Sequence, residues 1–245
     1  MAASIAKPTA PRTRKARGVA RQPARERGVQ RFSQLLDATD ALLSERHADD
    51  IGLYAIADKA GIPPASVYHF FPTVEAAFLA LTRRYLDGFV ELFNQPVEPQ
   101  AFASWHGFVA RDQQLSIDFY NAHPAAMKLF LGRYGGEETR KADIAFNREA
   151  GVGLWRRLQF AFEVPQVPGA PGKFTNMLFI QDALWAASYA ESGCISPDYA
   201  QESHRAGQAY LRLYLPEHMS LRPEIAADVA AGASISFSPP TPRTS

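Results

Sequence analysis

The sequence predicts an all-α protein with a small helical domain near the N-terminus and a larger helical domain after it. Apolar side chains recur at steps of three and four residues along most of the 245-residue chain, which is the spacing of one helical face. No stretch shows the alternation of apolar and polar residues that marks a half-buried strand. Clusters of Pro and Gly separate the helical stretches, because proline interrupts the hydrogen bonds of a helix.

The first helix is indicated by an apolar face between residues 29 and 43, which includes Phe32, Leu35 and Leu42. Further helices are predicted, in chain order, at residues 53–60, 64–71, 74–94, 99–121, 124–132, 137–162, 174–192 and 197–215. Residues 26–73 then form one domain and residues 74–217 a second, in which 74–94 is the linking helix.

Both ends of the chain differ from these domains in composition. Residues 1–31 contain nine Lys and Arg and a single acid, Glu26, so their net charge is +8 against +1 for the whole chain. Residues 1–25 contain few large apolar side chains, and we expect a disordered basic arm there. Residues 218–245 end in a run of Ser, Pro and Thr and are expected to form a flexible tail.

Several classes of protein are disfavoured by what the sequence lacks. It has no apolar run long enough to span a membrane and no secretory signal, so we expect a cytoplasmic protein. The one cysteine, Cys194, can form neither an internal disulfide nor a zinc cluster. Six histidines lie without metal-ligand spacing, and no nucleophile elbow or phosphate-binding loop occurs. We therefore expect no metal, no cofactor and no enzymatic activity.

Residues 53–72 predict two short helices joined by a tight turn. Ala57 is small enough for the two helices to approach closely, and Gly61 supplies the positive φ at which the first helix ends. Pro64 suits the first turn of the second helix, where no amide hydrogen is required. This pattern is typical of a helix-turn-helix, whose second helix enters the major groove of DNA.

The outward positions of the second helix fit a surface that approaches phosphates. They are short or polar and include no acid, so nothing there repels the DNA backbone. Hydroxyls of Ser66 and Tyr68 can donate hydrogen bonds to phosphate, and His69 can reach a base edge. The predicted DNA-binding residues are Gly52, Leu53, Tyr54, Pro63, Pro64, Ala65, Ser66, Tyr68 and His69, together with Arg27 and Arg31 of the first helix.

Residues 27–94 resemble the DNA-binding module of the tetracycline-repressor (TetR) family. The segment Ile-Ala-Asp-Lys-Ala-Gly-Ile at 56–62 matches the family pattern Ile-Ala-x-x-Ala-Gly-Val, and Ser-Val-Tyr-His-Phe-Phe at 66–71 matches Thr/Ser-Leu-Tyr-x-His/Tyr-Phe. Three positions depart from it, because Gly52, Pro63 and Val74 replace a Thr, a Ser and a Lys that commonly contact phosphate. Binding is therefore expected to depend more on the arginines of the arm.

The resemblance implies a transcriptional regulator, most simply a repressor that a small effector releases from a palindromic operator. It also implies a homodimer, paired through the last two long helices as a four-helix bundle. The predicted interface residues are Met177, Leu184, Trp185, Tyr189, Tyr210, Leu213 and Tyr214. A core within one chain is the alternative for these residues.

An apolar or aromatic effector is expected to bind between the DNA-binding domain and the dimerisation helices. The candidate pocket residues are Trp105, His106, Phe119, Tyr120, His123, Tyr134, Asn147, Trp155 and Gln181, although any one of these aromatics could instead be core. Two other functions remain open from the residues alone. One is a non-specific architectural DNA-binding protein, and the other is a helical enzyme whose site assembles only in the fold.

Overall fold

The computed structural model describes residues 19–23, 25–132 and 134–237 of the chain. Over these ranges the fold is all-α, as the sequence predicts, and its extended pairing is limited to two isolated bridges. Two short 3-10 helices are formed by Ala48–Asp50 and Pro99–Ala103. The α-helices are α1 Glu26–Glu45, α2 Leu53–Ala60, α3 Pro64–Phe70, α4 Val74–Phe93, α5 Trp105–Ala122, α6 Pro124–Phe130, α7 Gly136–Ala161, α8 Ala170–Ser192, α9 Pro197–Leu211 and α10 Pro223–Ala230.

The N-terminal domain consists of α1, α2, α3 and the first half of α4. The apolar face of α1 is buried against α2 and α4, with Leu35 and Leu43 fully enclosed. Phe32 packs against Phe70 and Phe71, with ring centroids 5.8 and 5.3 Å away, which fixes the end of α3 on α1. The packing of these helices therefore rests on one continuous aromatic and aliphatic core.

Helix α4 belongs to both domains. Its first half buries Ala77, Phe78 and Leu81 in the N-terminal core, and Phe89 in its second half packs against α5 and α7. Thr73 caps the helix, accepting a hydrogen bond from the amide of Ala76 at 3.2 Å. The chain thus runs from one domain into the other without a break in helical hydrogen bonding.

Lys128 of α6 makes a second connection between the two domains. Its ammonium group donates hydrogen bonds to the carbonyl oxygens of Leu43, Ser44 and Arg46, at 2.5, 3.3 and 2.9 Å. These carbonyls lie at and just after the C-terminus of α1, where the helix itself provides no donors. A cation at this end of the helix also interacts favourably with the negative pole of the helix dipole.

The C-terminal domain is built around the antiparallel helices α7, α8 and α9, with α5 packed beside them. Around α5, α7 and α8 lies a second hydrophobic core, in which Trp105, Phe108, Leu158 and Phe174 are almost entirely enclosed. The long helices expected in this domain are present, although residues 99–121 divide into a 3-10 turn and α5.

The expectation of a flexible tail from residue 218 onward is wrong for residues 218–237, whereas 238–245 lie outside the described residues. This segment forms α10, and Val97 and Ile235 exchange backbone hydrogen bonds of 2.8 and 2.9 Å. Ile225, Ile235 and Phe237 are buried in the second core. Apolar contacts made far along the chain therefore order a segment whose local composition looks unstructured.

Candidate nucleic-acid interface and internal cavity

The turn between α2 and α3 has the geometry that its sequence predicts. Gly61 ends α2 with a φ of 64°, and the amide of Ile62 donates a hydrogen bond to the Ala57 carbonyl at 3.1 Å. Ala57 and Val67 face inward and are 1% and 0% exposed. A larger residue at 57 would therefore separate the two helices.

One face of α3 is open to solvent. Pro63, Pro64, Ala65 and His69 are exposed, Ser66 is half-buried, and Val67 and Phe70 anchor the opposite face in the core. The exposed face contains hydroxyl, imidazole and small apolar groups, which are the groups that read base edges and phosphates. Helix α3 is thus anchored in the core on one side and presents an exposed surface on the other.

Two exposed tyrosines extend this surface of α3 onto α2. Tyr54 and Tyr68 are 63% and 47% exposed, and their rings meet edge to face with centroids 6.0 Å apart. Two aromatic rings exposed side by side form a contiguous patch, and such patches can mark a binding surface. Each ring limits the rotation of the other, so their hydroxyls are presented together.

Gly52 and Leu53, both predicted to bind DNA, differ in what they can contribute. Gly52 precedes α2 in an extended conformation and is exposed, with no atom within 4 Å of the place a Cβ would take. The prediction for the Leu53 side chain is wrong, because it is only 8% exposed and belongs to the core of the domain. Its backbone amide, in the first turn of α2, is the group left to meet a phosphate.

Arginines surround the N-terminal end of α1. Arg27 and Arg31 are exposed there, one helical turn apart, next to the point at which Phe32 packs on α3. The backbone amide of Arg21 donates a hydrogen bond to the Phe70 carbonyl at 2.9 Å, so this basic segment lies along the end of α3. The other basic residues of the predicted arm, up to residue 18, lie outside the described residues.

Comparison with known proteins places this surface in a family. Residues 35–81, which contain the helix-turn-helix and the start of α4, match the family model described as bacterial regulatory proteins of the tetR family. This is the DNA-binding domain of the tetR family. The chain is thus a DNA-binding transcription regulator, as the resemblance in residues 27–94 implies. No match was found among curated proteins.

Solved structures of tetR-family regulators share the fold over most of the chain. A regulator from Streptomyces coelicolor is 19% identical, with a TM-score of 0.58 over 76% of this chain and 98% of that one. A regulator from Rhodococcus sp. RHA1 is 17% identical, with a TM-score of 0.56 over 76% and 97%. SmeT, the repressor of a Stenotrophomonas maltophilia multidrug efflux pump, is 14% identical, with a TM-score of 0.57 over 76% and 91%.

Behind the tetR-family domain, α4, α5, α7 and α8 enclose an internal cavity of about 50 Å³. Phe89 and Phe93 of α4 form one wall, and Val109, Leu154 and Met177 contribute to the others. A volume of this size holds a few water molecules, so a larger ligand requires its walls to move apart. Because α4 also belongs to the DNA-binding domain, such a movement would reach that domain directly.

The predicted pocket residues are distributed over several places. Tyr120, Asn147 and Gln181 line the cavity. Trp105 and Trp155 are instead buried in the second core, and His106 stacks on Trp105 with a centroid distance of 3.7 Å. Phe119 and His123 stack on each other beside Tyr85, and Tyr134 is exposed at the surface. Aromatic residues at helical spacing fill the core as readily as they line a cavity, which explains these differences.

Sequence reasoning missed most of the polar groups that line the cavity. Asp112 forms ion pairs with Arg157 and, at 3.0 Å, with Arg111. Asp182 accepts a hydrogen bond from the Asn147 amide at 2.7 Å. Burial and the neighbouring Asp143 carboxylate raise the pKa of Asp182 to about 7. A polar residue inside a helical bundle breaks the apolar pattern, but the same break also occurs at surface positions, so the sequence gives no separate signal.

The residues predicted at the dimer interface also divide into two sets. Met177 and Trp185 are wrong as interface residues, because they are 0% and 4% exposed and face the interior of their own chain. The Trp185 indole donates a hydrogen bond to the Ser203 hydroxyl at 2.9 Å. The others retain exposed surface on α8, on α9 or just after α9, and they are Leu184, Tyr189, Tyr210, Leu213 and Tyr214.

Proposed function

We propose that the protein is a homodimeric transcriptional repressor that binds a palindromic operator and is released from it by a small molecule in the internal cavity. The observation that carries this proposal is the continuity of α4, which contacts the DNA-binding core through Phe78 and the cavity through Phe89. A ligand in a cavity against this helix would act on the DNA-binding domain through a single rigid element. Such a repressor would work in the cytoplasm, on the chromosome.

The DNA contact is assigned to the exposed face of α3. Ser66, Tyr68 and His69 would meet base edges and phosphates in the major groove, with Ala65 available to contact a thymine methyl group. Tyr54 and the backbone at the start of α2 would contact the adjacent phosphates. Arg27, Arg31 and the arm add positive charge beside this face, which favours association with any DNA.

The dimer is assigned to the outer faces of α8 and α9. Helix α8 has no distinct apolar face, and one side of it is not fully covered by the rest of the chain: Ile180, Leu184 and Ala187 all retain exposed surface there. Leu213, which follows α9, is 72% exposed. A second copy that covered this side would remove it from water and place two α3 helices on one duplex.

The proposal is tested by replacing Tyr68 with alanine. Operator sequences are first selected from random duplexes with the unmodified protein, and binding of each variant is then titrated in excess unrelated DNA. We expect Tyr68→Ala to weaken specific binding by about tenfold to a hundredfold, the size of one lost base or phosphate contact at the centre of an interface. Tyr134→Ala is the matched control, because Tyr134 is exposed to a similar extent, 45%, but lies in the C-terminal domain.

Sedimentation of both variants would show whether they remain dimers. Equal operator binding by Tyr68→Ala and the unmodified protein would contradict the assignment of α3. A monomer at micromolar concentration would contradict the assignment of α8 and α9. If specific binding is lost on addition of excess competitor even for the unmodified protein, the chain is an architectural DNA-binding protein instead.

The contribution of the arm is tested by deleting residues 1–18, which leaves the segment that contacts Phe70 in place. Five Lys and Arg residues are removed, at positions 7, 12, 14, 15 and 17. Each one that neutralises a phosphate contributes about 0.9 to the slope of log affinity against log salt. An unchanged slope would show that the arm does not contact DNA.

A further inference from the structure

Two glutamines of the cavity wall have polar groups that the protein does not satisfy. Gln113 of α5 and Gln181 of α8 are 3% and 0% exposed, and both line the cavity. The carbonyl oxygen and the amide nitrogen of each have no hydrogen-bond partner among the described residues. Buried side-chain amides are almost always hydrogen-bonded in folded proteins, so these four atoms require a polar partner that the described residues do not provide, either water or a ligand that displaces it.

The two amides lie side by side because α9 has a glycine opposite them. A Cβ at Gly207 would be 2.6 Å from Nε2 of Gln181 and 2.9 Å from Nε2 of Gln113, closer than such atoms can approach. Gly207 therefore leaves the space that both amides occupy. If one amide were turned so that the two paired with each other, a carbonyl oxygen and an N–H group would still be left for a ligand.

Most of the charged groups around the cavity are in ion pairs, Asp143 with Arg140 among them, and the Asp182 carboxyl group is partly protonated instead. Asp112 is paired with Arg157 and Arg111, and Asp182 accepts the hydrogen bond from Asn147. The raised pKa of Asp182, about 7, leaves much of this carboxyl group neutral at physiological pH. A charged ligand would need a counter-charge here, because burying an unpaired ion costs far more than burying an amide. The groups that still lack partners are the neutral hydrogen-bond donors and acceptors of Gln113 and Gln181.

The rest of the cavity wall is largely apolar and includes several aromatic rings. Phe89 and Phe93 belong to α4, and Trp185 belongs to α8 beside Gln181. Rings in such a wall favour a planar ligand that can lie against them. A cavity that binds a benzene ring has about 150 Å³, so the walls of this one, with about 50 Å³, must move apart even for a compact ligand and further for a long one.

We propose that the cavity binds a compact, uncharged, planar molecule with an amide edge, such as a carboxamide or a lactam. Its carbonyl accepts a hydrogen bond from one glutamine amide and its N–H group donates one to the carbonyl oxygen of the other, so Gln113 and Gln181 recognise it together. This inference rests on the proposed ligand-binding role of the cavity. It adds the chemical class of the ligand and the two residues that select it.

The test compares three probes of nearly the same shape that differ in charge: benzamide, benzoate and benzamidinium. Each is titrated into the free protein without DNA, and binding is followed by calorimetry and by the fluorescence of Trp185, which lies in the cavity wall. For fragments of this size the expected dissociation constant for benzamide is about 1 mM. At pH 6, where most of the Asp182 carboxyl group is protonated, we expect benzamide to bind at least about tenfold more tightly than either charged probe, because neither charged probe then finds a free counter-charge in the cavity.

Two variants assign the binding to the glutamines. Methionine has nearly the shape of glutamine without its polar atoms, so Gln113→Met and Gln181→Met should each weaken benzamide binding by about tenfold or more. Both variants should melt at the same temperature as the unmodified protein or higher, since each removes buried polar atoms without partners. Gln114→Met is the control, because Gln114 is exposed on the same helix and bonds Asp118 at 2.8 Å.

Tighter binding of benzoate or benzamidinium, or no saturation by benzamide at about ten times the expected dissociation constant, would overturn the inference. Retained benzamide binding by both methionine variants would also overturn it. These outcomes do not depend on operator binding. A protein that binds its operator but not benzamide fails this inference alone, whereas one that binds benzamide but no operator fails the proposed function.

Discussion

Lys128 offers a direct test of how the two domains are joined. Replacement by methionine keeps most of its apolar stem but removes the ammonium group that donates to the carbonyls of Leu43, Ser44 and Arg46. A hydrogen bond to a charged donor contributes about 1.5–3 kcal/mol when buried, and a cation at a helix C-terminus about 0.3–1 kcal/mol. The group is only partly buried, so we expect Lys128→Met to lower the free energy of unfolding by about 2 kcal/mol in total.

Equilibrium unfolding in urea, followed by circular dichroism, measures this difference directly. In a domain of this size a loss of about 2 kcal/mol corresponds to a melting temperature lower by roughly 4–8 °C. Lys141→Met is the control, since Lys141 pairs with Glu137 and Glu138 at a fully exposed position and should give no measurable change. Equal stability of Lys128→Met and the unmodified protein would show that the ammonium group is solvated rather than bound to α1.

Three further predictions test other parts of the structure. Gly52→Thr should strengthen operator binding by about threefold to tenfold, measured by titration, because the site has room for the side chain and its hydroxyl can reach a phosphate; weaker binding would contradict the placement of Gly52 at the interface. Asp182→Asn should be more stable than the unmodified protein at pH 8, by an amount on the order of 4 kcal/mol, and the difference should vanish near pH 4. The sign follows because the raised pKa of Asp182, about 7, makes the folded protein lose stability as the carboxyl ionises between its unfolded pKa and that value; urea titrations that gave a pH-independent difference would contradict it. Phe237→Ala should lower the free energy of unfolding by about 3 kcal/mol, measured by urea titration, because the buried ring packs on Phe108 with the two ring centroids 5.8 Å apart. A change below about 0.5 kcal/mol would mean that the C-terminal segment is not packed in solution.

Local signals made the DNA-binding domain readable from its sequence. Gly61 and Pro64 fix the ends of α2 and α3 through their own backbone conformations, and the predicted bounds agree with the structure to within one residue. Leu53 was misassigned because a helix N-terminus presents its backbone to a ligand while its side chain can face the core. The backbone amide and the side chain of such a residue can point in opposite directions, so each needs its own prediction.

The structure of the C-terminal domain was harder to predict because the contacts that order it join residues far apart in the sequence. Ile235 is ordered by pairing with Val97, a residue more than half the chain away, and nothing in the neighbourhood of either indicates this. Polar and apolar residues are mixed around helix α8 without a distinct face, so its sequence does not show which residues face the cavity and which face outward. Met177 and Trp185 were placed outside for that reason. Gln113 was overlooked because a glutamine on a helix is usually at the surface.

The length of α4 sets how far a change at the cavity is carried. Phe89 and the start of the helix at Val74 are separated by about fifteen residues, or roughly 22 Å along a rod with a rise of 1.5 Å per residue. A tilt of about 10° pivoting at Phe89 displaces the far end by nearly 4 Å, more than the roughly 3.4 Å between successive base pairs. A movement of the cavity wall no wider than one side chain would thus displace the DNA-binding domain by about one base-pair step along the duplex.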